Sequence, residues 1–114
     1  MENFSKELIG ASSIPIILSL LSRQESYGYE IIKNIKEISN EKIDFKEGTL
    51  YPVLHKLEKK GYIESFWKES DAGRKRKYYK ITDKGKKQLS SEQQSWNVIN
   101  HIMSKLWNQQ PKTA

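Results

Sequence analysis

Two short clusters of cationic side chains have the types and spacing needed to bind phosphate. His55, Lys56 and Lys59 share one side of a segment with helical periodicity. Arg74–Lys77 are four consecutive cations that follow Gly73. Lysine binds phosphate oxygens as a point charge, and arginine binds them as a bidentate donor. The chemistry that this pattern indicates is the binding of a polyanion.

The sequence offers no comparable set of residues for catalysis or for a metal ion. It has no cysteine, which excludes disulfides, thiol nucleophiles and thiolate zinc sites. The two histidines, His55 and His101, are far apart in the sequence. No Asp or Glu pairs with a His or Ser at a catalytic spacing. We therefore expect a protein that is not an enzyme and that needs no metal or cofactor.

The positive charge is concentrated in the middle of the chain. The 114 residues carry a net charge of +6, but residues 42–87 alone hold 14 Lys and Arg against 7 Asp and Glu. This distribution indicates nucleic acid or an anionic membrane surface as partner, although charge alone fits a surface charged for solubility equally well. No run of 18 apolar residues and no signal-peptide pattern is present, so we expect a cytoplasmic protein with no membrane partner.

Hydrophobic periodicity predicts helices at both ends of the chain and around its middle, in one domain. In the first helix, Pro15 predicts a bend or break near Ser12–Ile14, where the serines would cap a new start. Ser26 is the candidate cap of the second helix. Gly28, early in that helix, indicates close packing against a neighbour.

The third helix is predicted over residues 47–60, EGTLYPVLHKLEKK. Pro52 falls in its first turn or just beyond, where a missing N–H costs little. Gly61 suits the left-handed position that ends a helix. The alternating segments that follow flank a turn at Gly73 and predict a β-hairpin over residues 62–81. The apolar arc of this third helix consists of Leu50, Val53, Leu54 and Leu57.

Three helices, a hairpin and a last helix form the order of a winged helix-turn-helix, a mainly α fold with a small β-hairpin. A helix enters the DNA major groove when one side packs on its own domain and the other is polar and cationic. We therefore predict a DNA-binding domain over residues 1–82, a C-terminal dimerisation helix over 83–108 and a disordered tail over 109–114. Thr82 or Asp83 would cap the last helix.

The last helix carries an apolar arc that is too broad for packing on one small domain. Ordinary core packing is the alternative to a dimer seam. We favour the seam, made with the first helix, because the other helices and the hairpin can close a core of their own. The residues predicted to form it are Leu89, Ile99, Ile102, Met103 and Leu106.

The stretches GTLYPVLHKLEKKGYIESFW and GRKRKYYKITDKGKKQL, with SYGYEI near residue 26, resemble the PadR family of transcriptional regulators. The resemblance extends over about residues 6–107 and matches the small subfamily with one C-terminal helix, which includes multidrug-sensing repressors. It implies a homodimeric winged-helix repressor of a palindromic double-stranded DNA operator. By position, Thr49, Tyr51 and Pro52 carry over from the recognition-helix motif of the family, and Gly73, Arg74, Lys77, Tyr78 and Tyr79 carry over from its wing.

Together, the cationic clusters and the resemblance predict one DNA-binding surface. The alternative, from another class, is a winged-helix module that binds a protein partner or an anionic surface without reading a DNA sequence. The predicted DNA-binding residues are Thr49, Tyr51, Pro52, His55, Lys56, Lys59, Arg74, Lys75, Arg76 and Lys77.

The resemblance also implies a ligand site. Trp96 matches by position a tryptophan of the multidrug-sensing relatives, in which planar drugs stack at the dimer centre. Polar Gln93 and Asn100 lie about one turn to either side, so the slot is expected to be narrower in range, wetter, or without a ligand. Interface packing is the alternative role for the tryptophan. The predicted residues for a planar aromatic effector are Leu8, Ala11, Ser12, Trp96 and Asn100.

Overall fold

A computed structural model describes residues 4–108 of the chain. Within these residues, the chain forms four helices and one three-stranded antiparallel sheet with the strand order β1-β3-β2. The predicted fold class is confirmed, whereas the tail predicted over residues 109–114 lies outside the described residues. The elements are α1 (Lys6–Arg23), β1 (Ser26–Tyr27), α2 (Gly28–Ile38), α3 (Glu47–Lys59), β2 (Ile63–Glu69), β3 (Lys75–Ile81) and α4 (Asp83–Asn108).

Helix α1 is continuous through Pro15, so of the bend or break predicted near Ser12–Ile14 the break is wrong, and the bend stays a prediction. A proline inside a helix costs about 3 kcal/mol. Ile17 and Leu18, which follow it, are fully buried in the core. Burying two such side chains contributes about 3–6 kcal/mol, so packing after the proline outweighs its local cost.

The serines of α1 have other roles than the predicted ones. Ser5 is the N-cap of α1, and its Oγ accepts a hydrogen bond from the Leu8 N–H at 3.1 Å. Ser12 donates its hydroxyl to the Leu8 carbonyl at 2.7 Å, and Ser13 donates to the Gly10 carbonyl at 3.1 Å. Neither serine begins a new helix, because each hydroxyl bonds to a carbonyl of the preceding turn.

Ser26 was predicted to cap α2, but it belongs to strand β1 instead. It pairs with Tyr79 of β3 and enlarges the predicted hairpin to three strands. Tyr27 is the residue before α2 and makes no side-chain capping bond. The close packing predicted at Gly28 is confirmed, since a Cβ there would lie 2.5 Å from the Tyr51 Oη. A strand of two residues is too short to be distinguished from a helix cap by sequence alone.

Helix α3 ends at Lys59, with Lys60 as its C-cap, one residue before the predicted end. Gly61 has a φ of +81°, the left-handed conformation predicted there. Pro52 is the sixth residue of the helix, just beyond the first turn. It leaves the Gly48 carbonyl without its helical donor, and Gly48 is exposed, so water can take that place.

Strands β2 and β3 form the wing and lead directly into α4. They pair from Ile63 with Ile81 to Glu69 with Lys75. Gly73, with a φ of +76°, makes the turn between them. Of the two predicted caps of α4, the structure selects Thr82, whose Oγ1 accepts from the Gly85 N–H at 3.0 Å and donates to the Gly61 carbonyl at 2.6 Å.

The core takes side chains from every helix and from the sheet. Leu89, predicted in the dimer seam, is buried in this core. The first turns of α4 therefore pack with the winged-helix elements, and its distal residues Ile99, Ile102 and Leu106 are exposed. No helix within residues 4–108 is long and apolar enough to cross a bilayer. The buried core residues are Ile17, Leu18, Leu21, Ile31, Ile35, Phe45, Leu50, Leu54, Leu57, Ile63, Tyr79 and Leu89.

Candidate nucleic-acid interface

Helix α3 has one buried side and one exposed side. Leu50, Leu54 and Leu57 are at most 1% exposed. The division predicted from the helical repeat is therefore confirmed, and a hydrophobic face holds α3 on its own domain while the other side meets solvent. The exposed residues of α3 include all six that were predicted to contact DNA: Thr49, Tyr51, Pro52, His55, Lys56 and Lys59.

The cations of α3 are not neutralised by neighbouring acids. Within residues 4–108, no carboxylate forms an ion pair with Lys56 or Lys59. Glu58, which lies between them in sequence, turns to the wing and accepts a hydrogen bond from the Ser65 Oγ at 2.5 Å. Glu58 thus has a hydrogen-bonding role that the sequence did not reveal, and its contact joins α3 to β2.

The same contact marks the side of the sheet that faces α3. Tyr79 pairs with Ser65 across β3 and β2 and is buried. Burial, and then the charge of Glu58, raise the pKa of the Tyr79 phenol above its ordinary value. Tyr79 is therefore a neutral core residue, while Tyr78 on the opposite side packs 5.9 Å from the Phe66 ring centroid.

The four wing cations divide between the two sides of the hairpin. Arg74 lies in the turn, and Lys75 and Lys77 are exposed on β3. Arg76 is half-buried, with its guanidinium carbon 4.4 Å from the Tyr27 ring centroid. Successive strand residues point to opposite faces, so Lys75 and Lys77 share the side that faces α3. No carboxylate of the described residues forms an ion pair with these four cations.

A cleft of about 490 Å³ separates the wing from α2 and α3. We call it the wing cleft. None of the residues that line it is acidic, so its field is positive. Tyr27, Tyr29 and Trp67 were missed by the sequence reasoning, because no local pattern places β1, α2 and β2 beside one another. The lining residues are Tyr27, Gly28, Tyr29, Tyr51, Trp67, Arg74, Lys75, Arg76, Lys77 and Tyr79.

The predicted ligand residues are only partly brought together. A second groove of about 490 Å³ lies between α1, α2 and α4, and Ser12, Trp96 and Asn100 line it. Leu8 and Ala11 do not line this groove and are exposed. Their predicted place is the wall of a slot at the dimer centre, so their role there stays a prediction.

The predicted dimer residues also separate into two groups. Ile99, Ile102 and Leu106 are between 45% and 66% exposed, and Met103 is half-buried. Leu89 packs in the core of its own protomer, so it is not available for the predicted seam. Among the described residues, no group of three or more His, Cys, Asp or Glu side chains could hold a metal ion.

Comparison with known proteins identifies the family. The profile described as the transcriptional regulator PadR-like family matches residues 17–91. An uncharacterized protein of Lysinibacillus sphaericus is 42% identical over 88 residues, which cover 77% of this chain and 81% of that protein.

Two solved structures of transcriptional regulators are similar to this chain. A PadR-like transcriptional regulator from Bacillus cereus is 33% identical with a TM-score of 0.82, and the match covers 92% of this chain and all of that one. A transcriptional regulator from Clostridium thermocellum is 39% identical with a TM-score of 0.79, over 88% of this chain and 97% of the other. Such proteins regulate transcription and are not enzymes. With a profile match over more than half its length and an interface of cations around α3 and the wing, the chain belongs to the PadR-like family of DNA-binding transcriptional regulators.

Proposed function

We propose that the chain is a homodimeric repressor that places α3 in the DNA major groove and the wing against the backbone of the adjacent minor groove. The observation that carries this proposal is the division of α3. Three leucines are fully buried, and the cations Lys56 and Lys59 are exposed beside the cationic wing. A recognition helix requires this arrangement, because it must be held by its own domain and be open to the DNA.

The proposed dimer is formed by the distal part of α4. Val98, Ile99, Ile102, Leu106 and Trp107 are all exposed large apolar residues of this helix. A second copy is the partner that we propose for them, because a two-fold axis would hold two recognition helices about 34 Å apart, one turn of DNA. That spacing is the reason for proposing a palindromic operator.

The test of DNA recognition is binding-site selection with the purified protein from a pool of random duplexes. We expect one enriched sequence with two inverted half-sites. Affinity for it should fall steeply with salt, while the preference over random duplex persists. Enrichment of no sequence, together with salt-sensitive binding to any polyanion, would favour a module that binds an anionic surface without reading DNA.

A planar aromatic effector is the proposed ligand of the groove lined by Ser12, Trp96 and Asn100. Trp96 is half-buried and lies against a groove whose other walls include the apolar side chains of Ile16 and Ile38. A flat ring can stack on an indole face in such a slot. Binding that moves α4 relative to α1 would change the spacing of the two recognition helices and release the operator.

Fluorescence titration with planar cationic and phenolic aromatics tests this effector site. We expect quenching in the wild type that is weakened in Trp96→Ala and retained in Trp107→Ala, the matched control. Quenching with the same affinity in Trp96→Ala would remove the groove from the proposal.

A cytoplasmic location stays a prediction from the sequence.

A further inference from the structure

We infer that the wing cleft seats one strand of the DNA backbone, and that Trp67 and Tyr29 are DNA-contacting walls of that seat. The inference rests on the proposed function, because it takes DNA as the partner of this surface. It adds two residues outside the recognition helix and the cationic turn. Both are aromatic and both are strongly exposed, at 68% for Trp67 and 66% for Tyr29.

The register of the sheet places Trp67 on the inner side of the wing. Ser65, two residues earlier in β2, contacts Glu58 of α3, so this side of the strand faces α3. Trp67 lies on the same side because strand residues alternate, and it pairs with Lys77 of β3. Trp67 lies nearer the tip of the wing than Ser65 and is strongly exposed.

The opposite wall comes from α2 and α3. Tyr29 is the second residue of α2, and Tyr51 lies in α3 with 43% of its surface exposed. The absence of a side chain at Gly28 lets Tyr51 lie directly against α2. Aromatic rings therefore stand on both sides of the cleft, and cations stand around its mouth.

The cleft offers both aromatic rings and cations, and a sugar-phosphate strand has groups that suit each of them. Deoxyribose is largely apolar and suits a ring face, whereas each phosphate suits a cation. One of the cations on this side is already held over a ring: the Lys77 Nζ lies 5.7 Å from the Tyr79 ring centroid. This contact restricts the lysine side chain before DNA binds, so less conformational entropy is lost on binding.

The position of the cleft selects a duplex strand as its occupant. If α3 lies in the major groove and the wing in the adjacent minor groove, the backbone strand that separates those grooves must pass between α3 and the wing. The wing cleft is the space between them. An unstacked base of single-stranded DNA is the rival occupant, since it would also stack on these rings.

The experiment measures binding of a fluorescent duplex of roughly 30 base pairs, long enough for two half-sites one turn apart. We expect Trp67→Ala to lower affinity roughly fivefold to tenfold, the scale of one lost apolar contact, without changing the salt slope. Trp67→Phe should retain most of the affinity. Lys77→Ala should instead flatten the slope of log K against log salt by about 0.9, because it loses a phosphate contact.

A second measurement uses the natural residue. In the variant Trp96→Phe/Trp107→Phe, Trp67 is the one remaining tryptophan. Duplex DNA should shield its fluorescence from acrylamide. Trp67 that stays open to acrylamide in a complex proved by anisotropy would overturn the inference and leave the proposed function standing. Stronger binding of single-stranded DNA, or a flatter slope in Trp67→Ala, would also overturn it. Failure to bind any duplex would overturn both.

Discussion

Leu57 and Lys59 are two residues apart in α3 and have opposite environments. Leu57 is fully buried among the leucines of the core, and Lys59 is exposed. The two residues therefore contribute to different free energies. The buried leucine stabilises the folded state, and the exposed lysine adds to the positive field that attracts a phosphate.

The pair of substitutions Leu57→Ala and Lys59→Ala separates these roles. We expect Leu57→Ala to lower the free energy of unfolding by about 2–5 kcal/mol, as truncation of a buried leucine does. Lys59→Ala should leave that free energy nearly unchanged and weaken DNA binding. Denaturant unfolding and fluorescence anisotropy measure the two quantities. Similar losses of stability in both variants would mean that the faces of α3 are assigned wrongly.

Tyr79 gives a second prediction at this scale, through pH. Its folded pKa is raised, first by burial and then by Glu58, so the folded state holds its proton at a pH where the unfolded state releases it. This contribution to stability is complete below about pH 10, the ordinary tyrosine pKa, and is lost as pH rises through the folded pKa. Tyr79→Phe should reduce the alkaline loss of stability, measured by denaturant unfolding at several pH values. An identical pH profile would contradict the assignment.

At the scale of elements, the contact between α2 and α3 depends on one missing side chain. A Cβ at Gly28 would lie 2.5 Å from the Tyr51 Oη and 2.9 Å from its Cζ. Tyr51 is partly exposed, so its ring can swing away from α2. The position of the Tyr51 ring against α2, at the edge of the wing cleft, therefore depends on glycine at this position.

Gly28→Ala should displace Tyr51 and weaken duplex binding severalfold, with a loss of unfolding free energy of about 1 kcal/mol, at the low end for overpacking. The double variant Gly28→Ala/Tyr51→Ala should recover the stability and not the affinity, because the clash is removed together with a proposed DNA contact. Gly48→Ala is the matched control, since a Cβ there would meet nothing within 4 Å. Equal effects of the two alanines would refute the packing argument.

At the scale of the whole molecule, α4 carries more apolar surface than one protomer can cover. Its first turns are fixed to the core by Leu89 and by Gly85, whose Cβ position is occupied by the Tyr62 carbonyl. Its distal part exposes Ile99, Ile102 and Leu106. A surface of this kind on a long helix is typical of an interaction site.

Ile99→Glu should dissociate the proposed dimer and abolish operator binding, because the dimer would bury two like charges at a cost of several kcal/mol each. Sedimentation at micromolar concentration measures the mass, and anisotropy measures the binding. Asn97→Glu adds the same charge at an exposed position on the other side of α4 and should leave both unchanged. A wild-type protein that sediments as a monomer would end the dimer proposal.

The sequence by itself determined the order of the helices and the hairpin, and the two sides of α3. Leu50, Leu54 and Leu57 repeat with the period of a helix, and Gly61 and Gly73 stand where the chain needs a positive φ. Signals of this kind are local, since they depend on residues within one or two turns. The start of α4 is local in the same way, although the sequence left Thr82 and Asp83 as alternative caps and the structure selected Thr82.

Only the tertiary structure decided where distant segments meet. Pro15 breaks a helix by local rules, but burial of Ile17 and Leu18 keeps α1 continuous. Ser26 becomes a strand because β3 pairs with it. The wing cleft arises where β2, α2 and α3 come together, so no short stretch of sequence shows Trp67 facing Tyr29. These outcomes depend on packing energies between residues far apart in the chain, and local propensity contains no information about those energies.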